Sequence, residues 1–239
     1  MSRSIASDLA LVSAMNDDAD LARLTSEFTE KTIRYRYSYN FTWLGIPIIQ
    51  YPQDIVALQQ IIWECRPDLI VETGVAHGGS TVFFASMLEL AGAGTVLGID
   101  IDIRQHNRVA IHSHPLAHRM ELLDGSSTDA SVAEVVRERA AAKRVMVVLD
   151  SNHTNEHVSR ELELYSPLVP AGGYLVVFDT LIENLPNDFP DRPWSRGNNP
   201  MTAVRSFLAK NDRFTVASDI TDTLLLTAAP GGYLRCVKG

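Results

Sequence analysis

Apolar positions along this chain change period several times, from helical spacings of three and four residues to short unbroken runs and back. Leu21, Leu24 and Phe28 recur at helical spacing within a polar stretch, so residues 1 to about 30 predict a helical arm. The segment from Tyr35 to Trp43 follows, with Tyr37, Tyr39 and Phe41 between. Such aromatic density reads equally as a substrate wall or lid and as an interface or packing patch. Pro52-Gln53-Asp54 then opens a helix through Ile55, Leu58, Ile61 and Ile62, which ends before Pro67.

Beyond Pro67, apolar runs alternate with amphipathic stretches. Strands are predicted at Leu69 to Val71, Thr95 to Ile99, Met120 to Leu123, Val145 to Leu149 and Tyr174 to Phe178. Helices are predicted from Ser80, from about Gln105, from Ser131, from about Asn155 and over Thr202 to Lys210. Phe214 to Ala217 and Leu224 to Ala228, separated by Ser218 to Asp222, predict an antiparallel hairpin at the sheet edge. Strand, helix, strand at this spacing specifies parallel neighbours covered on both faces, so the fold class is α/β, a doubly wound, mostly parallel sheet. The expected division is an arm or lid over residues 1–50 and one α/β domain over 51–239.

With 239 residues, 46% of them hydrophobic, the chain can bury one sizeable core. A net charge of -8 argues against a nucleic-acid partner, which is held by clustered Lys and Arg. Cys65 and Cys236 are far apart and form no C-x-x-C pair, which suits buried thiols in a reducing cytoplasm. No apolar run reaches membrane-spanning length, and the acidic N-terminal stretch lacks the basic start of a signal peptide. A soluble, cytoplasmic protein with no membrane partner is expected.

Candidate chemistry is densest at Glu72-Thr73-Gly74-Val75-Ala76-His77-Gly78-Gly79-Ser80, between a predicted strand and a predicted helix. Gly74 lets the backbone leave the strand tightly, and Gly78 and Gly79 are expected to let a ligand approach where a Cβ would collide. A dinucleotide fingerprint needs G-x-G-x-x-G, whereas this turn has Gly74-x-x-x-Gly78-Gly79 after an acid. Glu72 would repel a pyrophosphate and attract an amino group, which favours a cationic ligand such as S-adenosylmethionine. The next strand ends in Asp100, positioned to grip ribose hydroxyls, or else to cap the helix that follows. Gly125, Ser126 and Ser127 end the third strand, where small residues can lie against an adenine edge or cap a helix.

The fourth strand delivers Asp150-Ser151-Asn152-His153 to the same rim, and the fifth delivers Asp179. Two converging carboxylates need a proton or a cation between them, and hard oxygen ligands suit Mg²⁺. The bland alternative is a pair of helix caps or salt-bridged acids. His153, one short loop beyond Asp150, is the candidate general base, being the residue type that changes charge near neutral pH. His157 reads as a surface residue. His106, His112, His114 and His118 lack a ligand pattern and read as a solvated face rather than a zinc site.

In combination, Val71 to Ser80, Gly98 to Asn107, Asp124 to Ser127, Leu149 to His153, Tyr174 to Thr180, Asp191 to Pro200 and Leu225 to Leu234 give a chain that resembles the cephalosporin hydroxylase-like and rhamnosyl O-methyltransferase family. It resembles the catechol O-methyltransferases more distantly. The resemblance implies a Rossmann-like class I methyltransferase fold, S-adenosylmethionine as donor, a divalent metal, and methyl transfer to a hydroxyl of a sugar or natural product. No His-x-Asp or His-x-Glu element begins an iron site of two histidines and a carboxylate, which speaks against hydroxylation.

Carried over by position, Glu72, Gly74 and Ser80 match the methionine end of the donor, Asp100 its ribose, and Ser126 and Ser127 its adenine side, with His77, Gly78 and Gly125 as further donor-binding candidates. Asp150 is both donor-facing and the first metal carboxylate, Asp179 the second. His153 stands where catechol O-methyltransferases place a lysine base. Relatives often show two adjacent oxygen ligands where this chain has Phe178-Asp179-Thr180, so Thr180, Glu183, Asn184 or water is expected to complete the shell. The loop from Asn187 to Pro200, with Phe189, Trp194, Arg196, Asn198 and Asn199, is a candidate acceptor lid, Trp194 and Asn198 foremost. The aromatic arm suits a homo-oligomer. Two rival readings are a nicotinamide-dependent oxidoreductase, disfavoured by Glu72 and the glycine spacing, and a non-catalytic protein that docks through its aromatic arm.

Overall fold

The computed structural model describes residues 6–185 and 191–239. Asn187 and Phe189 of the expected lid lie outside the described residues. The arm is two helices, α1 (Ala6–Asp17) and α2 (Ala19–Ile33). Asp18 caps α2, its carboxylate accepting from the amides of Asp20 and Leu21. A hairpin that the sequence pattern did not predict follows: β1 (Phe41–Trp43) pairs antiparallel with β2 (Ile46–Ile48) across Leu44 and Gly45, both at positive φ. Tyr37, Phe41 and Trp43 pack against the core, and the Trp43 indole donates to Ser86 Oγ at 3.0 Å. Most of the aromatic segment is therefore packing, although Tyr39 reaches the cavity described below.

The α/β body runs α3 (Pro52–Cys65), β3 (Leu69–Thr73), α4 (Gly79–Ala91), β4 (Thr95–Asp100), α5 (Gln105–His112), β5 (Met120–Asp124), α6 (Ala130–Ala140), β6 (Val145–Leu149), α7 (Asn155–Tyr165) and β7 (Tyr174–Val177). It ends with α8 (Pro200–Leu208), β8 (Phe214–Val216), the short α9 (Ser218–Thr221) and β9 (Tyr233–Cys236). Every residue of β3, β6 and β7 is buried, which is why these strands read as continuous apolar runs. The sheet order is β5-β4-β3-β6-β7-β9-β8, with the first five strands parallel and β9 antiparallel to both neighbours. Ile61, Ile62, Phe83 and Phe84 cover one face, and Val136, Leu162 and Val204 the other.

The final hairpin forms, but its second strand is Tyr233–Cys236 and not the predicted Leu224 to Ala228. Asp54 of α3, fully buried, accepts from the Ala228 amide at 2.8 Å, from the Thr227 hydroxyl and from the Tyr233 hydroxyl at 2.7 Å. These bonds pin residues 227–228 over α3, where no ladder partner is within reach. Burial pushes the Asp54 carboxyl up to about 6, against the lowering effect of its three donors.

Candidate active site

Ladder register sets Thr73 opposite both Ile99 and Leu149, and Leu149 opposite Val177, so four parallel strands end at one edge. The order reverses on either side of β3, with β4 to one side and β6 to the other, which opens a crevice beyond the strand ends. Gly74 N donates to Ile99 O, Asp150 N to Thr73 O and Phe178 N to Leu149 O, carrying the three chains out side by side. Asp179 then takes a left-handed backbone, φ +55°, and turns the chain into a short 3₁₀ helix, Thr180–Asn184. A non-glycine residue in that region is strained by up to about 1–2 kcal/mol, less for Asp, and such strain is commonest at functional positions.

His153 Nε2 stands 3.0 Å from Asp179 Oδ2. One ligand atom each from Asp150, His153 and Asp179 lies within 4.8 Å of the others, and no other group of three or more metal-capable residues does so among the described residues. His106, His112, His114 and His118 accordingly build no metal cluster. Trp194 meets the His153 ring edge-on, centroids 4.7 Å apart, so the lid loop reaches the base candidate. Loss of water, then the charges of Asp179, Glu72, Glu161 and Asp54, holds the Asp150 carboxyl well above the usual carboxylate range. Among the described residues no lysine or arginine pairs with Asp150. Its oxygen accepts from Gln50 Nε2 at 3.1 Å, and the same amide leaves its Oε1 buried without a partner. Two carboxylates, an imidazole nitrogen and an unsatisfied amide oxygen fit a hard divalent cation.

A cavity of about 640 Å³ opens over this cluster. Gly74, His77, Ser80, Asp150, His153, Asp179 and Trp194, all expected at the site, line it together. The arm adds Ile33, Arg36, Ser38 and Tyr39, and Pro47, Ile49 and Gln50 add the edge of β2 and the residues after it. The volume accommodates a nucleoside-sized donor beside part of an acceptor.

Other expected residues sit elsewhere. Gly78 is outside the cavity wall and Gly79 lines it, but the missing side chain makes room for protein at both: a Cβ on Gly78 would stand 2.5 Å from the Ile111 side chain, and one on Gly79 2.2 Å from the Pro47 carbonyl. Their bareness serves packing of α5 and β2 against the turn. Glu72 is buried below the cavity, accepting from Thr81 Oγ1, and burial pushes its carboxyl up to about 7 against the hydroxyls of Ser80 and Thr81. Asp100 accepts the Val75 amide at 2.9 Å and the Ala76 amide at 3.1 Å, fixing the turn. It also accepts the Asp102 amide.

Gly125, Ser126 and Ser127 are not in the cavity wall. Ser127 is buried, with its hydroxyl 2.6 Å from Glu161 Oε1, and Ser151 Oγ donates to the same oxygen at 2.7 Å. His157 Nε2 lies 3.1 Å from Ser127 Oγ and 3.0 Å from Ser151 Oγ, so it is a half-buried tie and not the expected surface residue. Asn198 is turned to its own loop, accepting from the Asn155 amide and donating to the Pro193 carbonyl, so it reaches no acceptor space. Thr180 Oγ1 donates to Pro230 O, Glu183 accepts from Gly197 N and Asn199 Nδ2, and Asn184 lines a separate cavity. None of the three completes the metal shell; His153 is the third side chain present.

Sequence reading missed Gln50, the one amide in the apolar run Ile48-Ile49-Gln50-Tyr51, whose burial was its available signal. It also missed Glu161, a buried acid on the inner face of α7.

The chain matches the family described as Rhamnosyl O-methyltransferase/CmcI over residues 35–237. It is 31% identical over 201 residues to a Rhamnosyl O-methyltransferase of Mycobacterium bovis, a match that covers 81% of this chain and 77% of that protein. A solved structure of CmcI with Mg and SAM aligns at a TM-score of 0.62 and 22% identity, over 83% of this chain and 77% of that one. The MycE methyltransferase from the mycinamycin biosynthetic pathway, in complex with Mg, SAH and mycinamycin VI, aligns at 0.50 and 20% identity, over 80% of this chain and 48% of that one. The two structural likenesses bear on the fold, which they share with the sheet described above. By the extent of the family match and the sequence identity, the chain belongs to the Rhamnosyl O-methyltransferase/CmcI family.

Proposed function

We propose that this chain is a metal-dependent O-methyltransferase that moves a methyl group from S-adenosylmethionine to a hydroxyl of a sugar or natural product. The observation that carries the reading is the convergence of Asp150, His153 and Asp179 on the floor of the cavity bounded by the Gly74–Ser80 turn. The donor's amino acid end lies along Gly74, His77 and Ser80, and Asp100, with lone pairs beyond those given to the turn amides, takes the ribose hydroxyls. Glu72 acts from beneath, through Ser80 and Thr81.

Asp150 and Asp179, with His153 or Gln50 beside them, would hold Mg²⁺, which when bound supplies positive charge at an acceptor oxygen and lowers the pKa of its hydroxyl. His153 takes the hydroxyl proton on Nε2, and Asp179, 3.0 Å away, stabilises the resulting imidazolium. The methyl carbon then forms a bond to oxygen as its bond to sulfur breaks, the electron pair leaving with sulfur. Trp194 and the arm residues exclude water and hold the acceptor in line, which removes encounter entropy. A second reading of His153, as a third ligand, is favoured by the shared 4.8 Å cluster.

Residues 1–50 act as an arm over the mouth, 51–239 as the catalytic domain, and the exposed apolar side chains Leu9, Leu11 and Leu24 of the arm suit a homo-oligomer. No helix among the described residues is long and apolar enough to cross a membrane. The test is transfer of labelled methyl from S-adenosylmethionine to a panel of glycosides and phenols, with and without Mg²⁺, read by mass spectrometry. Metal-dependent mass gain on a hydroxyl supports the proposal, and transfer indifferent to Mg²⁺ and chelator refutes its metal part.

A further inference from the structure

The mouth of the cavity is basic although its floor is acidic. Arg36 from the arm, Arg104 from the start of α5 and Arg192 from the lid loop all line it. None of the three is ion-paired among the described residues, whereas Arg108, Arg144 and Arg235 elsewhere hold Asp124, Asp68 and Asp219. Two of them lie beside cavity aromatics: the Arg36 guanidinium is 5.9 Å from the Tyr39 ring centroid and that of Arg192 is 5.1 Å from the Trp194 centroid. Arg36 also takes a left-handed backbone, φ +51°, which any Gly or Asn would adopt more easily.

Charge balance favours an anion at this mouth. The proposed donor carries a sulfonium, an ammonium and a carboxylate, and a divalent ion would be matched by Asp150 and Asp179. Three arginines then leave the loaded cavity strongly positive, and a neutral acceptor would relieve none of that. A guanidinium presents a planar fork suited to a carboxylate, and all three side chains are exposed at the mouth, open to an incoming anion. Arg104 follows the ribose-side strand, β4, Arg192 lies beside Trp194, whose ring meets His153, and Arg36 lies beside Tyr39 in the same cavity wall.

We infer that the acceptor carries a carboxylate, which Arg36 and Arg192 hold at the cavity mouth while the reacting hydroxyl lies over Asp150 and Asp179. The inference rests on the donor and metal reading above and names the class of acceptor that this site selects: a hydroxylated acid rather than a neutral glycoside or phenol.

The test is calorimetric, so it does not depend on turnover. S-adenosylhomocysteine is first titrated into the protein with Mg²⁺, and absence of binding there fails the donor reading itself. Into the loaded protein at neutral pH, 3,4-dihydroxybenzoate and its methyl ester are then titrated as a matched pair. The acid is expected to bind at least about tenfold more tightly than the ester, the worth of a charge-assisted hydrogen bond. That margin should collapse in Arg36→Gln and Arg192→Gln, while S-adenosylhomocysteine affinity holds within about twofold. Equal affinity of the two probes, no binding of either, or a margin that survives both substitutions overturns the inference. So does a large loss of S-adenosylhomocysteine affinity in Arg36→Gln, which would assign the arginine to the donor's own carboxylate.

Discussion

Gly74 and Asp150 meet backbone to backbone, so closely that a Cβ on Gly74 would stand 2.1 Å from the Asp150 carbonyl oxygen. The glycine that ends β3 thus fixes where the first residue after β6 can lie, and with it the carboxylate proposed to hold the metal. At φ +89° a side chain at Gly74 is strained whatever the space allows. Gly74→Ala is expected to lower stability by about 1–3 kcal/mol in urea unfolding and to displace Asp150. If the variant unfolds like the parent and keeps its Mg²⁺ response, the backbone contact does not govern the metal loop.

Asp150 trades stability for function. Its carboxyl is desolvated and repelled by Asp179, Glu72, Glu161 and Asp54, so its ionised form costs the metal-free chain free energy. Asp150→Asn keeps the shape and removes the charge. The metal-free variant is expected to gain stability at neutral pH, read as a higher urea midpoint, while methyl transfer falls to below about 1% of the parent rate. Donor binding should remain measurable by calorimetry. A variant both less stable and equally active would count against Asp150 as an unpaired metal carboxylate.

His153 separates two roles. As general base, its loss in His153→Ala is expected to lower kcat by about 10²–10⁴ with Mg²⁺ affinity little changed. As a third ligand, its loss should instead weaken Mg²⁺ binding by about 10–100-fold. A Mg²⁺ titration of transfer rate on the variant gives both quantities at once, and a variant with unchanged kcat and unchanged Mg²⁺ dependence has neither role.

What the sequence made legible follows from how each element is stabilised. β3, β6 and β7 bury every side chain, so their apolar runs announced themselves, and Asp150 and Asp179 followed as the residues at two strand ends. The β1–β2 hairpin was invisible because each strand has three residues and Leu44-Gly45 is not a familiar turn pair. That hairpin occupies the space before Gly79 and Ile111 the space before Gly78, so the glycines looked bare for a ligand when they were bare for Pro47 and Ile111. Leu224 to Ala228 carried a stronger strand signal than Tyr233-Leu234-Arg235-Cys236, yet Asp54 claims its last two residues, the Thr227 and Ala228 bonds spanning 173 and 174 positions of sequence. No local pattern encodes such a bond.

Glu72 and Asp54, together with Asp150, set the pH response of the metal-free fold. Glu72 rises from its ordinary 4.5 to about 7, and Asp54 from 3.8 to about 6, both chiefly because burial penalises the charged form. Between the unfolded and folded values, the native chain holds protons that the unfolded chain has lost. Their contribution is therefore full below about pH 4 and is lost as pH rises toward 7. Exposed acids with lowered values, such as Asp68 beside Arg144, act in the opposite sense at lower pH. The urea midpoint in chelator is expected to fall steadily from pH 4.5 to 7, and Glu72→Gln should flatten the upper part of that fall. A midpoint that climbs through the same window would contradict the burial of these charges.

Glu183 holds the lid loop from below. Its carboxylate accepts the Gly197 amide at 2.8 Å and the Asn199 side-chain amide at 2.5 Å, with Arg205 at 3.8 Å, and these donors hold its carboxyl below the ordinary range. Asn199 in turn caps α8 and donates to Ser195 O, so one acid fixes both the start of that helix and the segment that bears Trp194. Glu183→Ala removes three partners at once and should let the loop leave His153. The expected result is a rise of about tenfold in acceptor KM, on the order of 1.4 kcal/mol, with donor affinity unchanged, since the Gly74–Ser80 turn makes no bond to Glu183. The measurement is steady-state kinetics varied in each substrate separately, together with Trp fluorescence of the free protein as a reporter of Trp194. An equal loss for donor and acceptor would mean that Glu183 supports the whole fold and not the lid.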